Sequence, residues 1–401
     1  MNINILENKK IAILGFGVTG QNIFDILKDI YPIDIINNKE VDGYEVILQD
    51  NVNINDYDLL IKSPGIWPDI KLLQEFNGVV TNEIELTYLF IKENNLNTNI
   101  IGITGTNGKT SATSFIAQSL NTKYKAIACG NIGTSPLKEI VKDNTYDYLV
   151  MELSSYQLND INVFQPHLAI ILNLSLDHIE YHENYKNYIN AKYNLIKNLE
   201  PERIIVTKQA SNEIFKHLHI QINEVNHVDI ESPLSENVID CANTLLTKLR
   251  FSNNEIIDCF SNFVNLEHRF EVVLSEPFVA INDSKATNVE ATNMALSKID
   301  KPTYLVLGGE PKQEDYTKLK LENKYIKETI VYGELINHID CSSFTVIPKF
   351  EDSITYCIKK INKDECLLLS PACASYDQFD NFEQRGNKFK ELLVGDNLWN
   401  I

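Results

Sequence analysis

Short apolar runs rich in Ile, Val and Leu alternate with longer stretches of helical period along almost the whole chain. That alternation is the pattern of parallel strands joined by crossover helices, so the fold class is α/β. Strands are predicted at 11–14, 33–36, 59–61, 100–104, 148–151, 168–172, 204–206, 279–281, 303–307, 329–331 and 367–369, with a further strand-like run at 270–274. Several of these runs end in Gly, Ser, Asn or Asp. In open α/β sheets ligands bind beyond the carboxyl ends of the strands, so the chemistry is expected there. The polar stretch from Lys92 to Asn99 reads as a linker, and a second break falls at Asn265–His268, which predicts domains at 1–93, 94–266 and 267–401. The segment 209–236 is polar and irregular and predicts no element.

Composition narrows the classes of partner. The chain has 401 residues, 44% hydrophobic and 23% charged, which is enough apolar content for two or three ordinary cores. Lys and Arg number 36 against 55 Asp and Glu, a net charge of −19. Such a field repels nucleic acid and anionic membranes, so any phosphorylated ligand must be held by a few local cations, backbone N–H groups or metal ions. Seven cysteines without a C-x-x-C pair fit a reducing compartment, and neither a disulfide framework nor a zinc site. The first ten residues lack an apolar h-region, and no apolar run approaches the length of a membrane span. A cytoplasmic protein is expected.

Four groups of residues carry candidate chemistry. Gly15-Phe16-Gly17-Val18-Thr19-Gly20 is a G-x-G-x-x-G between a predicted strand and a helix, where the helix N-terminus offers N–H groups to phosphate. A nicotinamide cofactor would need an acidic residue at the end of the next strand, but Asn37-Asn38 stands there. The alternatives are a site for another nucleotide or a turn that serves packing alone. Gly105-Thr106-Asn107-Gly108-Lys109-Thr110 also joins a strand to a helix and reads as a phosphate loop for ATP, with Lys109 neutralising phosphate and the Thr110 hydroxyl available to Mg²⁺. It departs from the strict G-x-x-x-x-G-K-[ST] spacing, because Ile103 occupies the first glycine position.

Downstream, Glu152 and Asp177-His178 follow apolar strands of the same domain, and a carboxylate and an imidazole beside a phosphate loop could hold Mg²⁺. Singly, each is as well explained as a capping or exposed residue. The last third contains His268-Arg269, Asn282-Asp283-Ser284-Lys285-Ala286-Thr287-Asn288, and the run from Ser370 to Glu383. Helix capping accounts for one residue in each of the last two runs. It leaves the lysine with its threonine, and the dense Ser, Asp and aromatic run, unexplained.

Taken together, Gly105–Thr110, Glu152-Leu153-Ser154-Ser155, Asp177-His178, His268-Arg269, Asp283–Asn288 and Ser370–Ser375 resemble the Mur ligases of peptidoglycan synthesis. The last two runs resemble the branch of that family that adds D-glutamate to UDP-N-acetylmuramoyl-L-alanine. The resemblance implies three domains: Rossmann-like, P-loop ATPase-like with a parallel sheet, and Rossmann-like. It places Val18, Thr19, Asn37, Ser63, Pro64 and Gly65 at the UDP moiety, and Asn131, Ser154 and Gln157 at the muramoyl portion. ATP would lie on Gly105–Thr110, Asn243, Arg269 and Asp283. Two Mg²⁺ ions would be held by Thr110, Glu152, His178 and Lys192, the last matching the lysine that CO₂ carbamylates in this family. D-glutamate would meet Lys285, Thr287, Lys312, Ser375, Tyr376 and Phe382. Lys109, Glu152, His178, Lys192 and Lys285 would carry the catalysis.

The reaction so implied is ATP-dependent amide ligation through an acyl phosphate, carried out by a monomer. A sister ligase adding another amino acid, an NAD(P)-dependent oxidoreductase using Gly15–Gly20, and a nucleotide switch without ligase chemistry are the alternatives.

Overall fold

A computed structural model describes residues 3–222, 227–228, 234–263, 266–312 and 314–394. The chain separates into compact units at 263/264.

The first unit begins with β1 (Ile11–Leu14), α1 (Val18–Leu27), β2 (Ile33–Asn37), β3 (Val46–Leu48), β4 (Leu59–Lys62), α2 (Lys71–Glu75), β5 (Val79–Thr81) and α3 (Glu83–Glu93). Its five strands run parallel in the order β3-β2-β1-β4-β5, so the order reverses at β1. The crevice at that reversal is where such sheets bind ligands.

A second sheet in the same unit follows: β6 (Asn99–Thr104), α4 (Lys109–Leu120), β7 (Ala126–Gly130), α5 (Pro136–Lys142), β8 (Tyr148–Glu152), α6 (Ser155–Asn159), β9 (Leu168–Ile171), α7 (Ile179–His182), α8 (Tyr185–Tyr193), β10 (Ile204–Thr207), α9 (Lys208–Leu218), β11 (His227–Val228), α10 (Leu234–Lys248) and α11 (Asn253–Ser261). The order β11-β10-β9-β6-β8-β7 sets β6 between β8 and β9, all parallel. Whatever follows β6 is thus flanked by the ends of β8 and β9.

The two sheets share an apolar core. Ile84, Leu86 and Phe90 of α3 belong to one buried cluster with Leu137 and Ile140 of α5, on which α3 packs. The polar stretch after Lys92 joins the two sheets, with α3 ending at Glu93 and β6 beginning at Asn99, inside one compact unit.

The second unit holds β12 (Glu271–Leu274), β13 (Val279–Asn282), α12 (Val289–Ser297), β14 (Thr303–Gly308), β15 (Ile326–Tyr332), β16 (Thr345–Val346), α13 (Phe350–Lys360), β17 (Cys366–Ala372) and α14 (Phe382–Val394). Its order is β12-β13-β17-β14-β15-β16. The sheet is parallel except at one edge, where β12 runs antiparallel to β13 with Glu271 opposite Asn282. The cause is the short 275–278 connection, since a parallel pairing needs a crossover of a dozen or more residues.

Segment 209–236, read as featureless, contains α9, whose start is capped by the Thr207 hydroxyl accepting from Ala210 N at 3.1 Å and whose Ala210 and Ile214 are buried. Asn265 and residues 229–233 lie outside the described residues. Among those described, no helix is long and apolar enough to cross a membrane, and all seven cysteines are free.

The α3–α5 contact buries a carboxyl group. Glu83, 5% exposed, accepts a hydrogen bond from the Ser135 hydroxyl, and burial pushes its carboxyl up to about 7. The folded state therefore binds this proton more tightly than the unfolded chain. Its contribution to stability is full below the ordinary carboxylate range and is lost as pH rises toward 7, up to about 3 kcal/mol. Glu83→Gln, which keeps an acceptor for Ser135, is expected to unfold in urea like the parent at pH 4.5 and at higher denaturant than the parent at pH 8. Equal midpoints at pH 8 would show that the carboxyl ionises without cost.

Candidate nucleotide and substrate site

β6 delivers the loop 105–108 to the mouth of the second sheet, and α4 begins at Lys109. Gly105 (φ +155°) and Gly108 (φ +81°) take backbone conformations that side chains disfavour, and Gly108 is the N-cap of α4. The departure from strict loop spacing has a physical reason: Ile103 is a fully buried strand residue packed in the core, so the first turn glycine sits two positions later. Asn173, just past β9, clamps the loop. Its Oδ1 accepts from Asn107 N (2.8 Å), its Nδ2 donates to Asn107 O (2.9 Å), and its carbonyl accepts from Thr106 N (2.9 Å). The Thr106 hydroxyl meets Tyr188 OH at 2.8 Å and accepts from Ser175 N at 2.9 Å. Lys109 Nζ donates to the carbonyls of Gly105 (2.9 Å) and Thr106 (2.8 Å), curled over the place where the helix N-terminus presents N–H groups. Thr110 stands half-buried on the first turn.

Around that loop the sheet edge gathers the other candidates. Glu152 ends β8 in register with Ile103, and its Oε1 accepts from Asn131 Nδ2 at 2.8 Å. Its Oε2 is buried with no hydrogen-bond partner. A buried carboxylate oxygen left unpaired is costly, and a cation or donor brought by a ligand would satisfy it. His178 sits in the left-handed region (φ +53°) at the start of α7, where Tyr156 OH meets its Nδ1 at 2.7 Å and Asp177 Oδ2 lies 3.4 Å from its Nε2.

Lys192 of α8 is 2% exposed; its Nζ donates to Gly105 O (2.8 Å) and Thr104 Oγ1 (3.3 Å) and lies 4.9 Å from the Tyr188 ring centre. Burial, then the charge of Lys109, hold its ammonium well below the ordinary lysine range, with Asp177 and Glu152 pulling the other way. Lys192 thus feels the charges of Lys109, Glu152 and Asp177 together. No group of three or more His, Cys, Asp or Glu side chains forms a metal cage among the described residues. Glu152 and His178 fit Mg²⁺ in a different way, since that ion takes one or two protein ligands and fills its shell with phosphate oxygens and water.

Ser154 and Gln157 close α6 with a capping box: Gln157 Oε1 accepts from Ser154 N at 2.9 Å and Ser154 Oγ from Gln157 N at 3.3 Å. They follow Glu152 by two and five residues. Asn243, on α10, has a buried Oδ1 without a partner. That acceptor suits an exocyclic amine such as adenine's.

In the first sheet, Gly15 (φ +88°) turns the chain after β1, and a Cβ there would press on Ile66 at 2.7 Å. A Cβ on Gly20 would lie 2.4 Å from Gly15 O, so α1 can approach its own loop only with glycine at that position. Ser63 Oγ donates to Gly15 O at 2.6 Å, and Ile66 N to Ser63 O at 3.1 Å, closing the Ser63-Pro64-Gly65 turn against the glycine loop. Asn37 Oδ1 accepts from Phe16 N (3.3 Å) and its Nδ2 donates to Lys39 O (2.9 Å), so this side chain shapes the loop itself. Val18 is exposed and Thr19 half-buried at the open start of α1.

In the second unit, both oxygens of Asp283 are engaged, Oδ1 by Phe270 N (3.0 Å) and Oδ2 by the Ser370 hydroxyl (2.8 Å), and burial pushes its carboxyl up to about 7. Asp283 therefore braces the turn that carries Arg269, whose neighbours His268 and Phe270 both have positive φ. Lys285 Nζ lies 3.9 Å from the centre of the Phe382 ring, a cation held over an aromatic face. Thr287 follows two residues later, half-buried, before the N-cap Asn288 of α12. Ser375 is buried beyond β17, with its carbonyl accepting from Phe379 N at 2.8 Å, and Tyr376 is exposed. Lys312 N donates to Tyr316 OH at 2.9 Å in the loop after Gly308 and Gly309.

Several organising residues escaped the sequence reading. Asn173 is one, and Tyr156, Tyr188 and His182 are others; burial pushes the His182 imidazole down to about 4, leaving it neutral and stacked on Tyr156. Another is Arg385 of α14, fully buried, with all five N–H donors on neutral oxygens. Nε donates to Ser284 Oγ (3.0 Å), Nη1 to Tyr332 OH (3.3 Å) and Ala374 O (3.1 Å), and Nη2 to Ser284 O (2.8 Å) and Cys373 O (3.1 Å). It ties together the loops that carry Lys285 and Ser375. A helix arginine reads from sequence as solvated, and nothing in its spacing marks it.

The chain is similar to known proteins along almost its whole length. Residues 103–262 match the model of the Mur ligase middle domain. The chain is 32% identical to the UDP-N-acetylmuramoylalanine–D-glutamate ligase of Fusobacterium nucleatum subsp. nucleatum, covering 96% of this chain and 99% of that one. It is also 32% identical to the enzyme of the same name from Francisella tularensis subsp. holarctica, over 97% of each. Among solved structures, the fold is shared with Thermotoga maritima MurF in complex with ADP (TM-score 0.61, 13% identity, 98% and 97% covered). Thermotoga maritima MurC is similar as well (TM-score 0.58, 15% identity, 96% and 99% covered).

Proposed function

The chain belongs to the Mur ligase family, and from that premise we propose that it joins D-glutamate to UDP-N-acetylmuramoyl-L-alanine with ATP, as the names of its relatives describe. A carboxylate and an amine do not condense in neutral water, because the carboxylate is a poor electrophile with a poor leaving group. In the first step an oxygen of the L-alanyl carboxylate attacks the γ-phosphorus, the bond to the β-phosphate oxygen breaks, and ADP leaves. In the second step the D-glutamate amine attacks the acyl carbon, the bond to phosphate breaks, and the amine gives up a proton.

Lys109 unfolds from its loop carbonyls to meet the phosphates and balance the charge that gathers there. Thr110, Glu152 and His178 would hold Mg²⁺, which supplies neutralisation of phosphate charge. Lys192, with its ammonium destabilised by burial and by Lys109, gives up its proton more readily than an ordinary lysine, and the amine so freed can attack CO₂ and lose a proton to become a carbamate; this is the carbamylation the resemblance implies, and the carbamate would help to hold a second ion. Gly105–Gly108 bind phosphate, Asn243 the adenine, and Arg269 with Asp283 bracing it the nucleotide. Val18, Thr19, Asn37 and the Ser63–Gly65 turn take the UDP moiety, and Asn131, Ser154 and Gln157 the muramoyl portion. Lys285 and Lys312 attract the carboxylates of D-glutamate, with Thr287, Ser375, Tyr376 and Phe382 orienting it.

The observation that carries this reading is the convergence of Lys109, Lys192 and the half-satisfied Glu152 on one sheet edge. A panel of radiolabelled amino acids offered with ATP and UDP-N-acetylmuramoyl-L-alanine is expected to give product with D-glutamate alone, with ADP released only when all three substrates are present. Incorporation of a different amino acid would move the chain to a sister activity. No incorporation, together with NAD(P)H binding seen by fluorescence, would overturn the ligase reading.

A further inference from the structure

Lys62, the last residue of β4, is 1% exposed, and it is the residue immediately before the Ser63-Pro64-Gly65 turn. A lysine at the end of a buried strand needs partners for its charge, and both lie on the neighbouring sheet's helices. Its Nζ donates to Asp160 Oδ2 at 2.7 Å and to Tyr181 OH at 3.1 Å. Asp160 is the C-cap of α6, the helix whose first turn is formed by Ser154 and Gln157. Tyr181 stands three residues after His178 on α7, packs edge-on against Tyr156 (4.3 Å between centres), and donates its hydroxyl to Ile66 O at 3.4 Å. Tyr156 in turn holds His178 Nδ1. Ile66 is the residue whose side chain covers Gly15 and whose N–H closes the Ser63 turn. One ammonium and one phenol therefore grip the turn from both ends, with Lys62 before it and Ile66 after it, and fasten it to the two short helices that bear the muramoyl and His178 candidates.

We propose that Lys62 is a positioning residue for the UDP-muramoyl substrate: through Asp160 and Tyr181 it sets the distance between the turn assigned to the UDP moiety and the end of the molecule where the carboxylate is activated. The inference rests on the proposed ligase reading. A single substrate must bridge these places, so a register error between them appears as weaker binding of that substrate and not of ATP or D-glutamate. Breaking a buried ion pair from one side leaves an uncompensated charge, whereas replacing both partners by apolar groups removes the pair and its desolvation together. The test variants are therefore Lys62→Met with Asp160→Leu in one chain, and separately Tyr181→Phe, which keeps the ring and deletes only the bridging hydroxyl.

For the full-length protein, KM for UDP-N-acetylmuramoyl-L-alanine is expected to rise about tenfold in the double variant and about threefold in Tyr181→Phe, with KM for ATP and for D-glutamate within twofold of the parent. Unchanged KM for the UDP substrate in Tyr181→Phe, or in a folded double variant, overturns the proposal. So does a parallel rise of all three KM values, which marks a merely structural role. Titration of the parent with the same UDP substrate separates the two levels: a parent that does not bind it refutes the ligase reading, whereas a parent that binds it and variants that bind it equally refute the role of Lys62.

Discussion

Lys109→Ala is expected to lower ligation by about 10²–10³-fold, the usual cost of removing one preorganised charge from a site where charge develops in the transition state. The variant is expected to fold, since Lys109 Nζ donates to two carbonyls of the loop that its own helix follows. Two effects contribute to the loss, and they can be separated. The first is direct: the γ-phosphate loses its cation. The second runs through Lys192, whose ammonium is destabilised partly by Lys109; without that neighbour Lys192 holds its proton more tightly and offers less neutral amine to CO₂. Added bicarbonate or higher pH would recover the second share and leave the first. ADP release in the presence of all substrates, with the circular dichroism melting curve as a control for folding, is the measurement. Near-normal turnover by a folded Lys109→Ala protein would falsify the assignment of ATP to the 105–110 loop.

Arg385→Leu is expected to be the most damaging substitution in the second unit. The guanidinium is fully buried and spends its five donors on three carbonyls and two hydroxyls, so leucine takes a donor from each of them, with Ala374 O still accepting from Glu310 N. Each acceptor left orphaned costs about 1–3 kcal/mol unless water reaches it, so several together make a large loss. Arg385→Lys should rescue little, because an ammonium has three donors in a different geometry and cannot span the five oxygens. Urea unfolding of the full chain reports the stability loss. In any folded population, KM for D-glutamate should rise more than KM for ATP, because the loops freed are those holding Lys285 and Ser375. A variant with parental stability and parental KM for D-glutamate would show that those loops hold themselves.

The strands that the sequence reveals are the long, centrally placed ones. β1, β6, β8, β14 and β17 are continuous apolar runs because both faces are covered. Edge elements such as β3, β5 and β16 are two or three residues long and have no period to detect. β12 was legible as a strand and illegible in direction, which a short connection decided.

The candidate site divides along similar lines. The 105–110 loop is readable because its glycines and lysine have to be near one another in the chain. Lys192 is readable only through the family resemblance, since its significance lies in burial beside Lys109, which no local pattern encodes. Asn173, Lys62 and Arg385 act by bonding to segments far away in the chain, and a single polar residue at a strand end or on a helix carries no trace of its distant partners. Asn37 shows the opposite limit: its place at the end of β2 is readable in the chain, while its side chain is occupied with Phe16 N and Lys39 O.

The apolar cluster that runs from α3 into α5 has a consequence for anyone wishing to divide the polypeptide. A fragment ended near residue 93 would carry Ile84, Leu86 and Phe90 as a greasy stripe stripped of its cover, a surface that self-associates in water. The natural seam for cutting is at 263/264, where the first two sheets stay wedded and neither is asked to live alone.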